Sequence, residues 1–198
     1  MQHKKFSERY NRFRFDAGCL ALNFVATVRH RGSTPRDLLS SPEALNRWFL
    51  QSGLSSEQVI ISVKDLKNAV RLREAIHDVV HALITSAKPD ENDVILINRF
   101  ARHTIPVIQL SPDACDIHLD NPYTVMSCLA LIARDAVEHL GSTDKHRIKM
   151  CGNDTCRMLF LDISPANRRR WCAMSICGNR AKVALHRKRH TEVLHELF

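Results

Sequence analysis

The chain of 198 residues is poor in several things at once. It has only six glycines and seven prolines, so no linker-rich or collagen-like organisation is available. Aromatic residues make up 6% of it, and no apolar run reaches about 18 residues, which argues against a membrane-spanning helix. The opening stretch MQHKKFSERYNRFRF is charged and lacks the apolar segment of a secretory signal, so a cytoplasmic location is expected. Acidic residues are missing from one region in particular. Residues 1–144 carry 17 Lys and Arg against 17 Asp and Glu, whereas residues 145–190 carry twelve basic residues against Asp154 and Asp162 alone. The net charge of +8 therefore belongs to the last quarter of the chain, and two different jobs are implied.

The hydrophobic pattern places the elements. Residues 18–28, GCLALNFVATV, are a buried helix or strand that periodicity alone does not resolve. Ser41-Pro42-Glu43 reads as a helix start, with Ser41 as cap, Leu45, Trp48 and Phe49 on one face, and a stop near Gly53. A long helix is expected over about 65–87, closed by Pro89, with Ala69, Leu72, Ile76, Val79, Val80 and Leu83 along its apolar face. Another covers 91–102. Short strands at 105–110 and 115–119 flank Ser111-Pro112-Asp113. A further helix runs from Val125 to Leu140 and closes at Gly141. The composition changes at GSTDK, 141–145. The expected fold class is α+β, mainly α. A helical domain with a short β element spans 1–143, and a small treble-clef-like module spans 144–198.

Seven cysteines is an odd number, and four of them fall in two close pairs: Cys151-x4-Cys156-x15-Cys172-x4-Cys177. That pattern fits a metal site better than a disulfide framework. Two short turns, each supplying two thiolates, can occupy opposite edges of a tetrahedron around Zn2+. An iron–sulfur cluster is the alternative cargo. Four thiolates leave no position for a water, so the metal is read as structural, and folding of so small a module would be coupled to it. Cys19, Cys115 and Cys128 stand alone and read as buried hydrophobes.

After Cys177 the sequence GNRAKVALHRKRHTEVLHELF reads as a helix, capped by Asn179, with Ala181, Ala184 and Leu185 as a narrow apolar stripe. Arg180, Lys182, His186, Arg187 and Arg189 surround the stripe, and Lys188 falls close to it. Trp171 reads as core. His77 and His81 stand one turn apart but lack an evident third ligand, and Glu74 and Asp78 read as helix-surface charges. No Ser-His-Asp order, phosphate loop or dinucleotide fingerprint stands out, so no enzymatic activity is expected.

Arg170-Trp171-Cys172-Ala173-Met174 followed by Cys177-Gly178-Asn179-Arg180-Ala181-Lys182 resembles the CGNR zinc-finger family, as do the upstream cysteine pair and Phe160-Leu161-Asp162. Asp16-Ala17-Gly18-Cys19-Leu20-Ala21-Leu22-Asn23-Phe24-Val25 resembles the opening motif of the ABATE domain, which precedes the finger in that family. Leu39-Ser40-Ser41-Pro42-Glu43 and Leu72-Arg73-Glu74-Ala75-Ile76 resemble its later segments. The opening motif commonly has an aspartate and an asparagine where Asn23 and Ala26 stand here. The resemblance implies zinc at Cys151, Cys156, Cys172 and Cys177, and a bacterial, stress-induced transcription regulator whose finger contacts DNA.

Arg180, Arg187 and Arg189 are the candidates for base edges; Arg168, Arg169, Arg170, Lys182 and Lys188 are the candidates for phosphates. Arg180 could equally brace the zinc loop. The 1–143 domain would sense a small-molecule effector or mediate assembly into a homo-oligomer, although no dimer seam is readable. The competing reading is a zinc-stabilised interaction module whose basic face docks an acidic protein. Redox release of the metal is a further alternative.

Overall fold

The computed structural model describes residues 12–195, with side chains through Arg187. The described residues form a helical body carrying three separate two-stranded antiparallel hairpins. Helix α1 (Leu20–Val25) leads to strands β1 (Val28–Arg29) and β2 (Arg36–Asp37), then to α2 (Pro42–Ser52), α3 (Val63–Ile84) and α4 (Glu91–Ala101). Strands β3 (Ile108–Leu110) and β4 (Ile117–Leu119) precede α5 (Val125–Gly141). A 3-10 turn over Thr143–Arg147 then opens into β5 (Ile148–Met150), β6 (Leu159–Leu161) and the final helix α6 (Asn179–His195). The α+β, mainly α, reading is correct. No helix among the described residues is long and apolar enough to cross a membrane.

Local chemistry sets the helix ends. Ser41 accepts a hydrogen bond from the Ala44 N–H, Pro42 takes the first turn, and Gly53 stops α2 at φ 77°. Ser62 with Asp65, and Thr124 with Ser127, form reciprocal caps at the starts of α3 and α5. Helix α3 stops at Ile84, five residues short of Pro89. The Thr85 hydroxyl donates to the His81 carbonyl, and Ser86 turns to φ 58°. The ambiguous 18–28 run resolves as α1 followed by a two-residue strand. Asn23, in place of the motif's aspartate, accepts the Ala17 N–H at 2.9 Å, and Ala26 is buried.

Trp48, Phe24, Phe49, Leu72, Ile76, Leu129 and Ile132 are fully buried at the centre of the helical body. Within it Arg73 is only 2% exposed. It is held bidentately by Asp37 at 2.7 and 2.8 Å and shares Glu74 with Arg31. Glu74 is thus part of a buried-edge ion network, not a plain surface charge.

The C-terminal module is not a bead on a string. One continuous core runs from Trp48 and Leu129 through Phe160 to the four finger cysteines. The Leu161 N–H donates to the Ala17 carbonyl at 2.7 Å, which sews β6 to the segment before α1. Gly18, at φ 97°, lies where a Cβ would stand 2.8 Å from Leu161. Gly32 is tighter still, because a Cβ there would overlap the Asp154 carbonyl oxygen in the first cysteine turn. Gly32→Ala is therefore expected to cost about 1–3 kcal/mol through overpacking at this junction. Thermal unfolding reads this directly, as a Tm fall of about 2–4 °C per kcal/mol.

Candidate metal centre and its basic surround

Each cysteine is fixed by backbone hydrogen bonding close to it. The Cys151 N–H donates to the Met158 carbonyl at 2.8 Å, extending the β5–β6 ladder (Ile148↔Leu161, Met150↔Leu159) by one step. Between the strands Asn153 closes the first turn: its carbonyl accepts from Cys156 N–H at 2.9 Å, and its side-chain oxygen accepts from the same N–H at 3.1 Å. Arg157 leaves the turn at φ 51°. The second pair sits where α6 begins. Cys177 and Gly178 N–H both converge on the Ala173 carbonyl, at 3.0 and 3.2 Å. A Cβ at Gly178 would lie 2.3 Å from the Met174 sulfur, so a side chain there would displace that half-exposed methionine. The Gly152 N–H donates to the Arg170 carbonyl at 2.9 Å and ties the two turns together. The first cysteine pair thus sits in the turn of the β5–β6 hairpin and the second at the start of α6.

The four Sγ atoms lie within 4.8 Å of one another, and all four residues are at most 9% exposed. Cys156 and Cys172 sulfurs are 3.8 Å apart, and Cys172 and Cys177 sulfurs 3.7 Å. A tetrahedron with Zn–S bonds of about 2.3 Å has edges of about 3.8 Å, whereas a disulfide requires about 2.05 Å. The spacing thus suits a single thiophilic ion at the centre, and a multi-iron cluster would hold its sulfurs further apart. Chemically, an all-sulfur set would bind Zn2+ and close its coordination sphere, a stabilising role.

Hydrogen bonding among the four sulfurs pulls their acidities apart. Hydrogen bonding from Cys151, Cys156 and Cys177 holds the Cys172 thiol far below its ordinary range despite burial, with the Arg14 charge adding to the effect. Cys151 comes down to about 7, chiefly through Cys156. Cys156 and Cys177 rise correspondingly, each chiefly through its bond with Cys151. A bound cation favours all four thiolates.

Arg14 is a residue that the sequence pattern did not single out. It is 8% exposed, donates to the Cys172 sulfur at 3.3 Å and is forked by Asp16, its Nε lying 2.7 Å from one carboxylate oxygen. It stands 158 positions before Cys172, so no local signal points to the pairing. Asp162 belongs to the Phe160-Leu161-Asp162 motif, but its structural role is not readable from the sequence. It is fully buried and accepts from Lys149 Nζ (2.7 Å), Arg169 N–H (2.8 Å), and the Ser164 N–H (3.1 Å) and hydroxyl (2.6 Å). That one carboxylate organises the loop between the cysteine pairs.

The basic candidates separate by environment. Arg168 is exposed. Arg169 donates to the Cys172 carbonyl and lies 4.9 Å over the Phe160 ring, so its guanidinium braces the site. Arg170 lies 4.7 Å over half-buried Trp171. Arg180 sits at the base of α6 in a small hollow with Arg14, Arg29, His30, Cys156 and Cys177. Burial, then the charges of Arg29 and Arg180, hold His30 below its ordinary pKa. Lys182 and Arg187 are exposed along α6; the side chains of Lys188 and Arg189 lie outside the described residues.

Two expectations for α6 need correction. Asn179 is its first helical residue and does not accept a capping bond; its side-chain amide donates back to the Ser175 carbonyl at 3.2 Å. The apolar stripe does not pack either. Ala184 is exposed, Leu185 is 51% exposed and Val183 50%. The helix stands out from the finger with no buried face over residues 182–187.

Among the other cysteines, Cys128 is buried and its thiol is pushed up to about 12. Cys115 departs from expectation and is exposed in the β3–β4 turn. Cys19 is buried beside Asp135 and His139, and burial followed by the Asp135 charge pushes its thiol up to about 12. Asp135 accepts the Ala21 N–H at 2.7 Å, which caps α1. The rings of His77 and His81 stack 5.9 Å apart, and no third metal-ligating group joins them among the described residues.

Comparison with known proteins finds two family models. The ABATE family model, described as "Putative stress-induced transcription regulator", matches residues 18–143, and the CGNR zinc finger model matches residues 147–190. No curated protein matches the chain.

Proposed function

The chain belongs to the ABATE family and ends in a CGNR zinc finger, and from that premise we propose that it is a zinc-dependent, DNA-binding transcription regulator rather than an enzyme. It would act in the bacterial cytoplasm and respond to stress. The reading is carried by one observation above all: α6 leaves the cysteine cluster with Lys182 and Arg187 exposed and, over its described residues 182–187, no buried face. A helix anchored at one end and exposed over residues 182–187 suits a nucleic-acid groove. Arg168 at the finger's edge, with Lys188 and Arg189 further along the chain, would extend the contact, and Arg180 would support the helix base. Phosphate neutralisation by these side chains releases counterions and makes affinity fall with salt.

Fluorescence anisotropy of zinc-loaded protein on duplex DNA, repeated across salt concentrations, tests this. The logarithm of the association constant is expected to fall linearly with the logarithm of salt, by about 0.9 per phosphate neutralised. The Lys182→Ala, Arg187→Ala double variant is expected to bind more weakly and to shallow that slope by about 1, the share of Lys182 at a phosphate, while loss of Arg187 from a base edge relaxes sequence preference. Binding indifferent to salt, or to both substitutions, would contradict it.

A second reading draws on Val183 and Leu185, two apolar side chains half-exposed on the same helix. They suit a protein partner better than a phosphate backbone. In that case α6 docks an acidic protein, and the variant Val183→Ser, Leu185→Ser loses partner binding while DNA stays unbound throughout.

A further inference from the structure

A cavity of about 620 Å3 opens at the junction between the helical body and the finger. Its walls are aliphatic: Val80, Leu83 and Ile84 from the end of α3, Leu140 from α5, and Ile148 and Met150 from β5. Leu83 belongs to the periodic apolar face of α3, yet it is 40% exposed, because nothing among the described residues covers it. The rim is basic. Lys145, His146 and Arg170 line it together with Lys149, and no Asp or Glu does.

These rim groups are not equivalent. Lys149 is already bound by Asp162 and by the Asn167 carbonyl, both at 2.7 Å. The His146 ring is 3.0 Å from the Thr143 carbonyl, and Arg170 rests on Trp171. Lys145 is exposed and makes no ion pair among the described residues. An aliphatic cleft of ligand size with a few polar groups gathered at one edge is the usual form of a small-molecule site.

We infer that this cavity binds an amphipathic organic anion, an aliphatic carboxylate of medium chain length. The chain would cover Leu83 and Ile84 against Ile148 and Met150, and the carboxylate would sit at Lys145 and Arg170. Aliphatic walls without an aromatic platform favour an alkyl body over a stacked ring. The basic rim without a carboxylate favours an anion over a neutral lipid or an amine. The walls come from both segments matched by the family models, so occupancy would stiffen the joint between them. Binding does not depend on DNA contact. Protein that takes up the ligand but ignores DNA would overturn the regulatory reading and leave this one standing.

Calorimetric titration of zinc-loaded, full-length protein with decanoate, kept below its micellar concentration, tests the site. The expected result is saturable uptake of one decanoate per chain. Binding should weaken at least tenfold for 1-decanol, which keeps the chain and loses the charge. It should weaken similarly in Leu83→Glu and in Lys145→Glu, both at partly or wholly exposed positions, with zinc content and Tm unchanged. The inference is overturned by the absence of saturable uptake, by decanol binding as tightly as decanoate, or by either variant binding like the parent.

Discussion

Cys172→Ser is expected to empty the metal site and to unfold more than the finger. Zinc content should fall from about one ion per chain to near zero, and protection from amide exchange should vanish across Leu159–Leu161. Structural zinc contributes about 10–16 kcal/mol to the folding of small modules, while a whole domain is stable by only about 5–15 kcal/mol. The finger therefore cannot hold its fold on three thiolates and a hydroxyl. The loss should spread, because Phe160 and Leu161 belong to the same core as Trp48 and Leu129, and because Leu161 N–H is bound to the Ala17 carbonyl. Stripping the wild type with a chelator should reproduce both effects. Cys115→Ser, on an exposed turn, is the control and should stay within about 0.5 kcal/mol of wild type. A stripped protein with unchanged exchange protection and Tm would show that the cysteines are merely packed together.

Asp162→Asn is the second large effect, expected at about 3–5 kcal/mol, the usual cost of removing one partner from a buried ion pair. The amide is the same size but presents an NH2 where two donors now converge. It leaves Lys149 without its counter-charge and the Arg169 N–H without an acceptor. Burial alone would raise the Asp162 pKa, but the hydrogen bonds from Lys149, Ser164 and Arg169 outweigh it and hold the carboxyl well below the carboxylate range. A carboxylate depressed in the folded state stabilises above its unfolded pKa, about 3.9, and that stabilisation is lost as pH falls through and below it. The difference between wild type and variant in denaturant unfolding should therefore be flat from about pH 5 to 8 and close only in stronger acid. A difference that instead changed with the titration of histidines near pH 6.5 would place the interaction elsewhere.

What the sequence revealed and what it hid follow from the range of the interactions. Ser41-Pro42 and Gly53 bracket α2 because capping is a local affair, decided within four residues. The cysteine quartet was legible because each pair closes one short turn. Arg73 was not: its burial depends on Asp37, 36 positions earlier and on another element. Arg14 was hidden for the same reason, and so was the role of Arg169, whose charge reads as surface until Phe160 and the Cys172 carbonyl are in place. The apolar run at 18–28 is too short for periodicity to separate helix from strand, and the Asp135 carboxylate that caps α1 at the Ala21 N–H lies 114 positions further along the chain. The stripe on α6 failed in the opposite direction. Ala181, Ala184 and Leu185 keep helical spacing, but among the described residues nothing covers Ala184 and Leu185.

X-ray absorption at the zinc edge of purified, reduced protein, combined with metal quantification, addresses the cysteine cluster most directly. One zinc per chain with four sulfur neighbours at about 2.3 Å is the expected result. Nitrogen or oxygen neighbours in the first shell, or folded protein with no bound metal at all, would contradict the four-thiolate centre on which the finger, its helix and the proposed DNA contact depend.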